Sequence, residues 1–390
     1  MNSRERVARA MRLEKPDRVP VMCQLSLGHY FLNCPIPAME IWHSTAGFGE
    51  ALISLQKRYR FDGILINLPG RDPGWRSHIR RMETRGNEVV IHWEDGWYTV
   101  CPHDDNPHVF RASGERYQAT FAELEPAGLF YVEPHHLQGV RYPHCWDFSR
   151  DPARRDDYFP PWQFDTIDYV RKRVGDSISV HGEIFSPFSQ LLELIGYTDA
   201  LMALMDEPEK CEACLEALSE GAIALGRGQA AHGVDAVLIS SAFAGAGFIS
   251  PGHYRRFVLP FERKVIRGIQ ESRALPVYTH TCGSIGDRLE LMAETGTGGI
   301  DTLDPPPLGN VELEDAKRRI GNRLFIKGNL DPVNTLLRGS RSQVERAALR
   351  CIEAAGENGG YILSSACSVS PRTAPENLAV LAEVAEGRRD

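Results

Sequence analysis

Apolar residues follow two alternating patterns along the chain. Short runs rich in Val, Ile and Leu lead into polar turns, and then into stretches with an apolar residue at every third or fourth position. The short runs predict buried parallel strands, and the longer stretches predict amphipathic helices. The expected strands are Val19–Met22, Gly63–Asn67, Ile178–Gly182, Ala236–Ser240, Pro276–His280, Gly299–Leu303, Arg323–Lys327 and Gly360–Ser364.

Eight such strands alternating with helices predict an α/β fold, a (β/α)8 TIM barrel formed by residues 1–390 as a single domain. An open, doubly wound sheet is the alternative. The expected helices between the strands include Glu209–His232 and Pro251–Glu271. Chemistry in a barrel of this class is expected at the carboxyl ends of the strands.

A long insertion after the second strand, residues 69–162, interrupts this alternation. Inside it, Glu88–Trp93 and Gly96–Cys101 flank a turn and predict a β-hairpin. The insertion holds five of the six Trp and seven of the thirteen His residues. Two interpretations stay open: a segment that covers the barrel mouth or forms an oligomer contact, and a substrate lid with aromatic walls.

Composition excludes several classes of protein. The chain has 390 residues, 44 Lys and Arg, 52 Asp and Glu, and a formal net charge of −8, with no basic stripe of the kind that binds nucleic acid. No apolar run is long enough for a membrane span, and the first twenty residues lack the apolar core of a signal peptide. Nine scattered cysteines, an odd number, fit a reducing cytoplasm better than a disulfide framework.

Polar residues that could take part in catalysis or metal binding follow most of the predicted strands. They are His181-Gly182-Glu183, Ser240-Ser241, His280-Thr281-Cys282-Gly283, Asp301 and Asp304, Gly328-Asn329, and Ser364-Ser365-Ala366-Cys367. Packing alone does not select such residues at the same end of most strands, so this end is the predicted site.

The pair His280 and Cys282 is the most specific of these signals. A spacing of two places both side chains on one side of an extended segment, and Gly283 permits a sharp turn directly afterwards. With Cys367 at the end of the last strand, the set offers one imidazole and two thiolates, which suits Zn²⁺ with one coordination position open. The alternative is that these are ordinary buried residues. Asp304 is a candidate fourth ligand, but Asp301 and Asp304 could equally be turn or helix-cap residues.

Other segments that resemble metal-binding or nucleotide-binding motifs are weaker signals. Cys211 and Cys214 lie in a helical pattern and are interpreted as incidental cysteines. Ala244-Gly245-Ala246-Gly247 is too short for a dinucleotide-binding fingerprint. Five histidines of the insertion are interpreted as surface residues, namely His103, His108, His135, His136 and His144.

Several segments, in order along the chain, resemble the uroporphyrinogen decarboxylase superfamily. They are SRERVARAMRLEKPDRVPV, ISPGHYRRFVLPFERKVI, PVYTHTCGSIGDRLELMAETG, LFIKGNLDP and YILSSACSVSPRTAPENL. The resemblance implies a (β/α)8 barrel, in agreement with the strand pattern.

Departures from the decarboxylase pattern indicate which branch the chain resembles. After the first strand, decarboxylases have an arginine-containing segment, whereas this chain has Cys23-Gln24-Leu25-Ser26-Leu27-Gly28. After the second strand, they have an aspartate, whereas this chain has Asn67-Leu68-Pro69-Gly70. Their last strand ends in Gly-His-Gly, and here the sequence is Ala366-Cys367-Ser368. The set His280, Cys282 and Cys367 is similar to the zinc ligands of the methyltransferase branch, and Asp304 lies near an acidic ligand of more distant relatives.

The resemblance therefore implies a zinc-dependent methyltransferase that works with a corrinoid on a separate partner protein, because the chain has no cobalamin-binding module of its own. A small aromatic methyl ether is one candidate donor, and Glu183 could orient substrate or move a proton. Three alternatives remain: a zinc-thiolate alkyl transferase such as an epoxyalkane:coenzyme M transferase, a non-catalytic zinc-binding subunit, and, remotely, a decarboxylase. A homodimer is left open as the oligomeric state.

Overall fold

The fold is given by a computed structural model that describes residues 1–111, 119–132, 151 and 153–387. The strands of this part of the chain are β1 (Gly63–Ile66), β2 (Ile79–Arg85), β3 (Glu88–Trp93), β4 (Tyr98–Pro102), β5 (His108–Phe110), β6 (Ser179–Phe185), β7 (Ala236–Ser240), β8 (Val277–Thr281), β9 (Gly299–Thr302), β10 (Phe325–Leu330) and β11 (Tyr361–Ser365). Its α-helices are α1 (Ser3–Met11), α2 (Leu27–Asn33), α3 (Ala38–His43), α4 (Thr45–Tyr59), α5 (Asp165–Val174), α6 (Pro187–Ile195), α7 (Tyr197–Asp206), α8 (Pro208–Ala231), α9 (Pro251–Phe257), α10 (Leu259–Ser272), α11 (Leu289–Glu294), α12 (Leu313–Ile320), α13 (Arg341–Ala355) and α14 (Pro375–Ala385).

Seven parallel strands form one sheet in the order β1-β6-β7-β8-β9-β10-β11. The order follows the chain without the reversal that defines a doubly wound sheet, so the barrel prediction is confirmed and the open-sheet alternative is wrong. Most of these strands are buried along their whole length, because apolar side chains on their outer faces pack under the helices.

The predicted first strand, Val19–Met22, is present as a short extended segment rather than a full strand. Val21 bridges Leu363 of β11 in parallel, and the amide of Asp62, just before β1, donates to the Val21 carbonyl at 2.7 Å. The fully buried Asp62 carboxylate also accepts the Val21 amide and bonds with Arg6 and Arg18. Since Pro20 has no amide hydrogen, the ladder here is short, and a side chain supplies the missing contacts.

Helix α1 covers the amino-terminal end of the barrel. Its Val7, Ala10 and Met11 pack against interior residues such as Leu65 and Phe325. This apolar plug closes one end of the barrel, so polar interior side chains concentrate at the opposite, carboxyl end of the strands.

The insertion contains a four-stranded antiparallel sheet in the order β2-β3-β4-β5. Strands β3 and β4 form the predicted hairpin. Trp75 and Trp93 are buried in a small separate core, where the ring of His43 from α3 stacks on Trp75 at a centroid distance of 4.9 Å. The sheet is thus tied to the barrel helices by aromatic contacts.

The expected helix Pro251–Glu271 is wrong as one element, since the structure has two helices, α9 and α10, separated at Val258. Pro260 explains the break, because its ring has no amide hydrogen and would clash with the preceding turn of a continuous helix. None of the described helices has both the length and the apolar content needed to cross a membrane.

Candidate metal centre

Strand β8 places His280 at the carboxyl end of the barrel. His280 is opposite Ser240 of β7 on one side and Asp301 of β9 on the other. After Cys282 the chain turns at Gly283, whose φ of 76° lies in the left-handed region that glycine adopts at little cost. Two elements therefore bring the three predicted ligands together, the β8 turn for His280 and Cys282 and the end of β11 for Cys367.

The three side chains are close enough to bind one ion. Nε2 of His280 lies 3.2 Å from Sγ of Cys282, which lies 3.6 Å from Sγ of Cys367. All three ligand atoms are within 4.8 Å of one another, and no other group of three such residues is found in the part of the chain that the structure describes. With Zn–S bonds of about 2.3 Å, two sulfur ligands of tetrahedral zinc are about 3.8 Å apart, so the set fits this metal.

The other ring nitrogen of His280 is held by a buried chain of charges. Nδ1 lies 3.2 Å from Oδ2 of Asp301, and Oδ1 of Asp301 accepts from Nζ of Lys327 at 2.8 Å. The three residues lie side by side on β8, β9 and β10, and none is more than 4% exposed. A carboxylate behind a histidine ligand fixes the ring and leaves the opposite nitrogen for metal.

This chain of contacts changes the interpretation of Asp301. The suggested turn or cap role is wrong, because Asp301 lies within β9 and faces His280. Lys327 was not among the predicted site residues. Its sequence signal was a lysine directly after the apolar run Leu324-Phe325-Ile326.

Asp304 lies beside the three ligands but is not one of the group within 4.8 Å. Its Oδ2 accepts the amide of Gly283 at 2.6 Å, which ties the loop after β9 to the loop that carries Cys282. Burial raises the pKa of Asp304 to about 6. The preceding Thr302 and Leu303 both have positive φ angles, 84° and 57°, a strained conformation of the kind found at functional sites.

Glu183, in β6, is half-buried on the same side of the barrel. Burial raises the pKa of its carboxyl to about 7, although the nearby His280 and a hydrogen bond from Ser240 act in the opposite direction. A carboxyl group with a pKa near neutrality can hold or release a proton under physiological conditions.

The two thiols and the imidazole shift one another's pKa values. Hydrogen bonds from Cys282 and His280 lower the pKa of Cys367 to about 4, and the same contact raises the pKa of Cys282. Burial acts to lower the pKa of His280, but bonds to Asp301 and Cys367 raise it to about 10. A thiolate is therefore already favoured at Cys367, and a bound cation would favour the second.

The glycine-containing loop after β7 packs directly against the ligand loop. The amide of Ala246 donates to the Ser284 carbonyl at 2.8 Å, and a Cβ on Gly245 would lie 2.5 Å from the Cys282 carbonyl oxygen. Arg288, fully buried, donates to the carbonyls of Ala244 and Ile249 and so fixes both ends of this loop. The loop therefore supports the turn that carries Cys282.

The remaining candidates do not join the site. Cys211 and Cys214 are buried in α8, as predicted, and burial raises the pKa of both. His108 is exposed, and His103 pairs with Asp104 at 3.6 Å. Three predicted surface histidines lie outside the described residues, namely His135, His136 and His144.

The sequence matches a known family. The model of the uroporphyrinogen decarboxylase (URO-D) family matches residues 146–388. A uroporphyrinogen decarboxylase of Thioalkalivibrio sulfidiphilus is 32% identical over 228 residues, 56% of this chain and 62% of that protein. A methylated-thiol–coenzyme M methyltransferase of Methanosarcina mazei is 29% identical over 212 residues, 54% of each protein. The chain thus matches less than two thirds of the length of these relatives.

A solved structure shows the same fold. A methyltransferase from Methanosarcina mazei superposes with a TM-score of 0.71 and 18% sequence identity, covering 99% of both chains. The family match includes the strands that carry His280, Cys282 and Cys367, and it spans more than half of the sequence. The chain belongs to the uroporphyrinogen decarboxylase family.

Proposed function

We propose that the protein is a zinc-dependent methyltransferase that moves a methyl group between a small molecule and a corrinoid carried by a partner protein. The observation that carries this proposal is the cluster of His280, Cys282 and Cys367 at the carboxyl end of the barrel. Relatives named as methyltransferases, including a methylcobamide:CoM methyltransferase of Methanosarcina acetivorans that is 26% identical over 223 residues, support it.

His280, Cys282 and Cys367 would hold the zinc. When bound, zinc supplies a Lewis acid whose charge is balanced by two thiolates, and it can activate the heteroatom of a methyl donor or a thiol. Asp301 accepts the Nδ1 hydrogen of His280 and so directs Nε2 toward the cysteines. Lys327 holds the second oxygen of Asp301, which fixes the plane of the carboxylate.

Glu183 and Asp304 are the proposed catalytic residues beside this centre. Glu183 would hold or move a proton at its carboxyl group, because its pKa lies near neutrality. Asp304 would anchor the turn at Gly283 and remains the candidate for a fourth ligand. Both carboxyls are close enough to His280 to interact with its charge, so both would be available to orient a substrate at the metal.

Metal content tests the proposal directly. The wild-type protein, Cys282→Ser and Cys367→Ser are purified under one protocol and their zinc is measured. The matched control is Cys34→Ser, since Cys34 is half-buried and its thiol donates to the carbonyl of Ala51, outside the centre. We expect zinc in the wild type and the control and a large loss in both ligand variants. A metal-free wild type, or full zinc in both ligand variants, contradicts the proposal.

Turnover distinguishes the proposal from zinc-thiolate alkyl transfer of the epoxyalkane:coenzyme M transferase type. That second function is favoured by the pair of sulfur ligands at 3.6 Å, which would balance zinc and leave it able to take a substrate thiolate. Methyl ethers, methylamines and methyl thioethers are assayed with reduced cobalamin, and epoxides with small thiols alone. We expect demethylation that requires cobalamin. Epoxide loss with a thiol and no cobalamin would favour the second function.

A non-catalytic zinc-binding subunit and a decarboxylase would each give a distinct signature. The non-catalytic subunit would keep an unchanged zinc absorption edge with every donor and thiol. A decarboxylase would consume uroporphyrinogen, which we do not expect because the segment at 23–28 lacks arginine and residue 367 is a cysteine.

A further inference from the structure

The two thiols at the carboxyl end of the barrel form a pair that an oxidant can join. We propose that hydrogen peroxide oxidises Cys282 and Cys367 to a disulfide, which empties the metal centre until a thiol reductant restores it. The release of metal rests on the proposed function, because it assumes that these two residues hold zinc. Formation of the disulfide does not depend on that assumption.

The sulfur atoms of the pair are already in contact. Sγ of Cys282 lies 3.6 Å from Sγ of Cys367. A disulfide bond is about 2.05 Å long, so the two atoms have to approach by about 1.5 Å. Cys282 directly follows the last residue of β8, and Cys367 lies two residues beyond the end of β11. Because both residues lie outside the strands, this approach requires side-chain rotation and a small shift of two turns, and it leaves the parallel sheet intact.

Backbone hydrogen bonds hold the two cysteines near each other. Next to the first cysteine, the amide of Gly283 donates to Oδ2 of Asp304 at 2.6 Å. Next to the second, the amide of Ala366 donates to the Leu330 carbonyl at 2.7 Å. Both turns are therefore anchored to neighbouring strands or loops of the barrel. The proximity of the thiols follows from the fold, so the pair stays together after a metal ion leaves.

Exposure separates this pair from other cysteines of the described residues. Cys282 and Cys367 are each partly exposed at the carboxyl end of the barrel. Cys211 and Cys214, three residues apart in α8, are completely buried. Cys34 is half-buried, and its thiol donates to a backbone carbonyl at 3.7 Å. Peroxide should therefore react first at the site where two partly exposed sulfur atoms meet.

The oxidation balances with one molecule of peroxide. The sulfur of one cysteine attacks a peroxide oxygen, the O–O bond breaks, and the products are a sulfenic acid and water. The second sulfur then attacks the sulfenic sulfur, the S–S bond forms, and the hydroxyl group leaves with the remaining thiol proton as a second water. Two electrons pass from the sulfur atoms to the peroxide. Dithiothreitol reverses the step by thiol–disulfide exchange and is itself oxidised to a disulfide.

The disulfide removes two of the three candidate ligands. Its sulfur atoms lack the negative charge with which a thiolate binds a metal. His280 alone remains, and one imidazole is fewer than the three protein ligands of a catalytic zinc site. When the thiolates hold zinc, the same oxidation takes two protons from solvent and frees the ion. The pair therefore makes the metal content of the protein depend on oxidant.

Addition of peroxide to the purified protein tests the inference. One equivalent of hydrogen peroxide is added, the intact mass is measured, and released zinc is detected with a chromogenic chelator. We expect the mass to fall by about 2 Da and about one zinc ion to appear for each disulfide formed. Peptide mapping without reductant should find the peptide of Cys282 joined to that of Cys367. Dithiothreitol should restore both the mass and the uptake of zinc.

Variants assign the effect to the pair. Cys34→Ser should behave as the wild type, whereas Cys282→Ser and Cys367→Ser should show no loss of about 2 Da. The circular dichroism of the wild type should not change on oxidation, which separates metal release by the disulfide from metal release by unfolding. If a ligand variant fails to fold, the peptide map of the wild type decides the outcome.

Two results would overturn the inference. One is a peptide map in which both cysteines stay free or are oxidised without being joined, and the other is a disulfide that leaves zinc bound. A wild type that holds no zinc before oxidation contradicts the proposed function instead, and the peptide map then still tests the disulfide.

Discussion

The carboxylate of Asp301 lies 3.2 Å from Nδ1 of His280, on the side of the ring away from the two cysteines. This contact sets the orientation of the ring and leaves Nε2 directed at Sγ of Cys282. Through this contact, the buried residues of the barrel would influence how tightly the proposed site binds metal.

Asp301→Asn tests that connection. An amide is a weaker acceptor than a carboxylate and can also present its NH₂ group to the ring, so we expect zinc affinity to fall by about 10- to 100-fold. Competition with a chelator measures the change. Asp168→Asn is the matched control, because Asp168 bonds to Nδ1 of the exposed His232. Unchanged zinc affinity in Asp301→Asn would show that the carboxylate does not contribute to metal binding.

Two glycines of one loop provide a second test. Gly245→Ala would place a methyl group 2.5 Å from the Cys282 carbonyl, so the ligand turn must move and zinc affinity should fall. Gly247→Ala is the control, since a methyl group there would meet no atom within 4 Å. We expect at least about a tenfold loss of affinity in the first variant and none in the second. Equal effects of the two changes would contradict the packing argument.

The buried carboxyl group of Glu262 should make the free energy of unfolding depend on pH. It is buried in α10, and burial raises its pKa from 4.5 to about 7. Between these values the unfolded chain has lost the proton and the folded protein retains it, so Glu262 lowers stability as the pH rises and its effect levels off above about pH 7. Glu262→Gln should raise the free energy of unfolding by about 3 kcal/mol at pH 8 and little at pH 4.5.

Urea unfolding at both pH values measures the effect of Glu262→Gln. The control is Glu357→Gln, because Glu357 is exposed and its replacement should shift neither curve. A gain that is equal at the two pH values would show that burial of the carboxyl group is not its cause.

Replacement of the buried Asp62 carboxylate, which lies where the barrel closes, should lower the stability of the protein. Asp62→Asn removes the charge that faces Arg6 and Arg18 in a buried position, and we expect the free energy of unfolding to fall by about 3 kcal/mol. Asp176→Asn weakens the pairs that its exposed carboxylate makes with Arg4 and Arg171 and should cost less than about 1 kcal/mol. Chemical unfolding of both variants gives the comparison. Similar losses in the two would argue against a special role for Asp62.

The sequence was sufficient to predict the barrel and the clustering of the three candidate ligands. Apolar runs mark buried strands, and His280, Cys282 and Cys367 follow two of them, so topology alone brings them to one end. Lys327 could not be assigned, because its contact with Asp301 depends on the relative register of β9 and β10. The role of Asp62 could not be predicted from the sequence either, because its side chain accepts the amide of Val21 in place of a backbone carbonyl of a neighbouring strand.

The closure of the barrel by Val21 and Leu363 also determines when the proposed metal centre can form. The two residues come from opposite parts of the chain, and Cys367 lies just beyond Leu363. A growing polypeptide can present His280 and Cys282 well before the last strand exists, but it cannot offer the third ligand until that strand has been made and docked. Loading of the proposed centre with metal would therefore be coupled to completion of the barrel, and a chain arrested before β11 would lack the third candidate ligand.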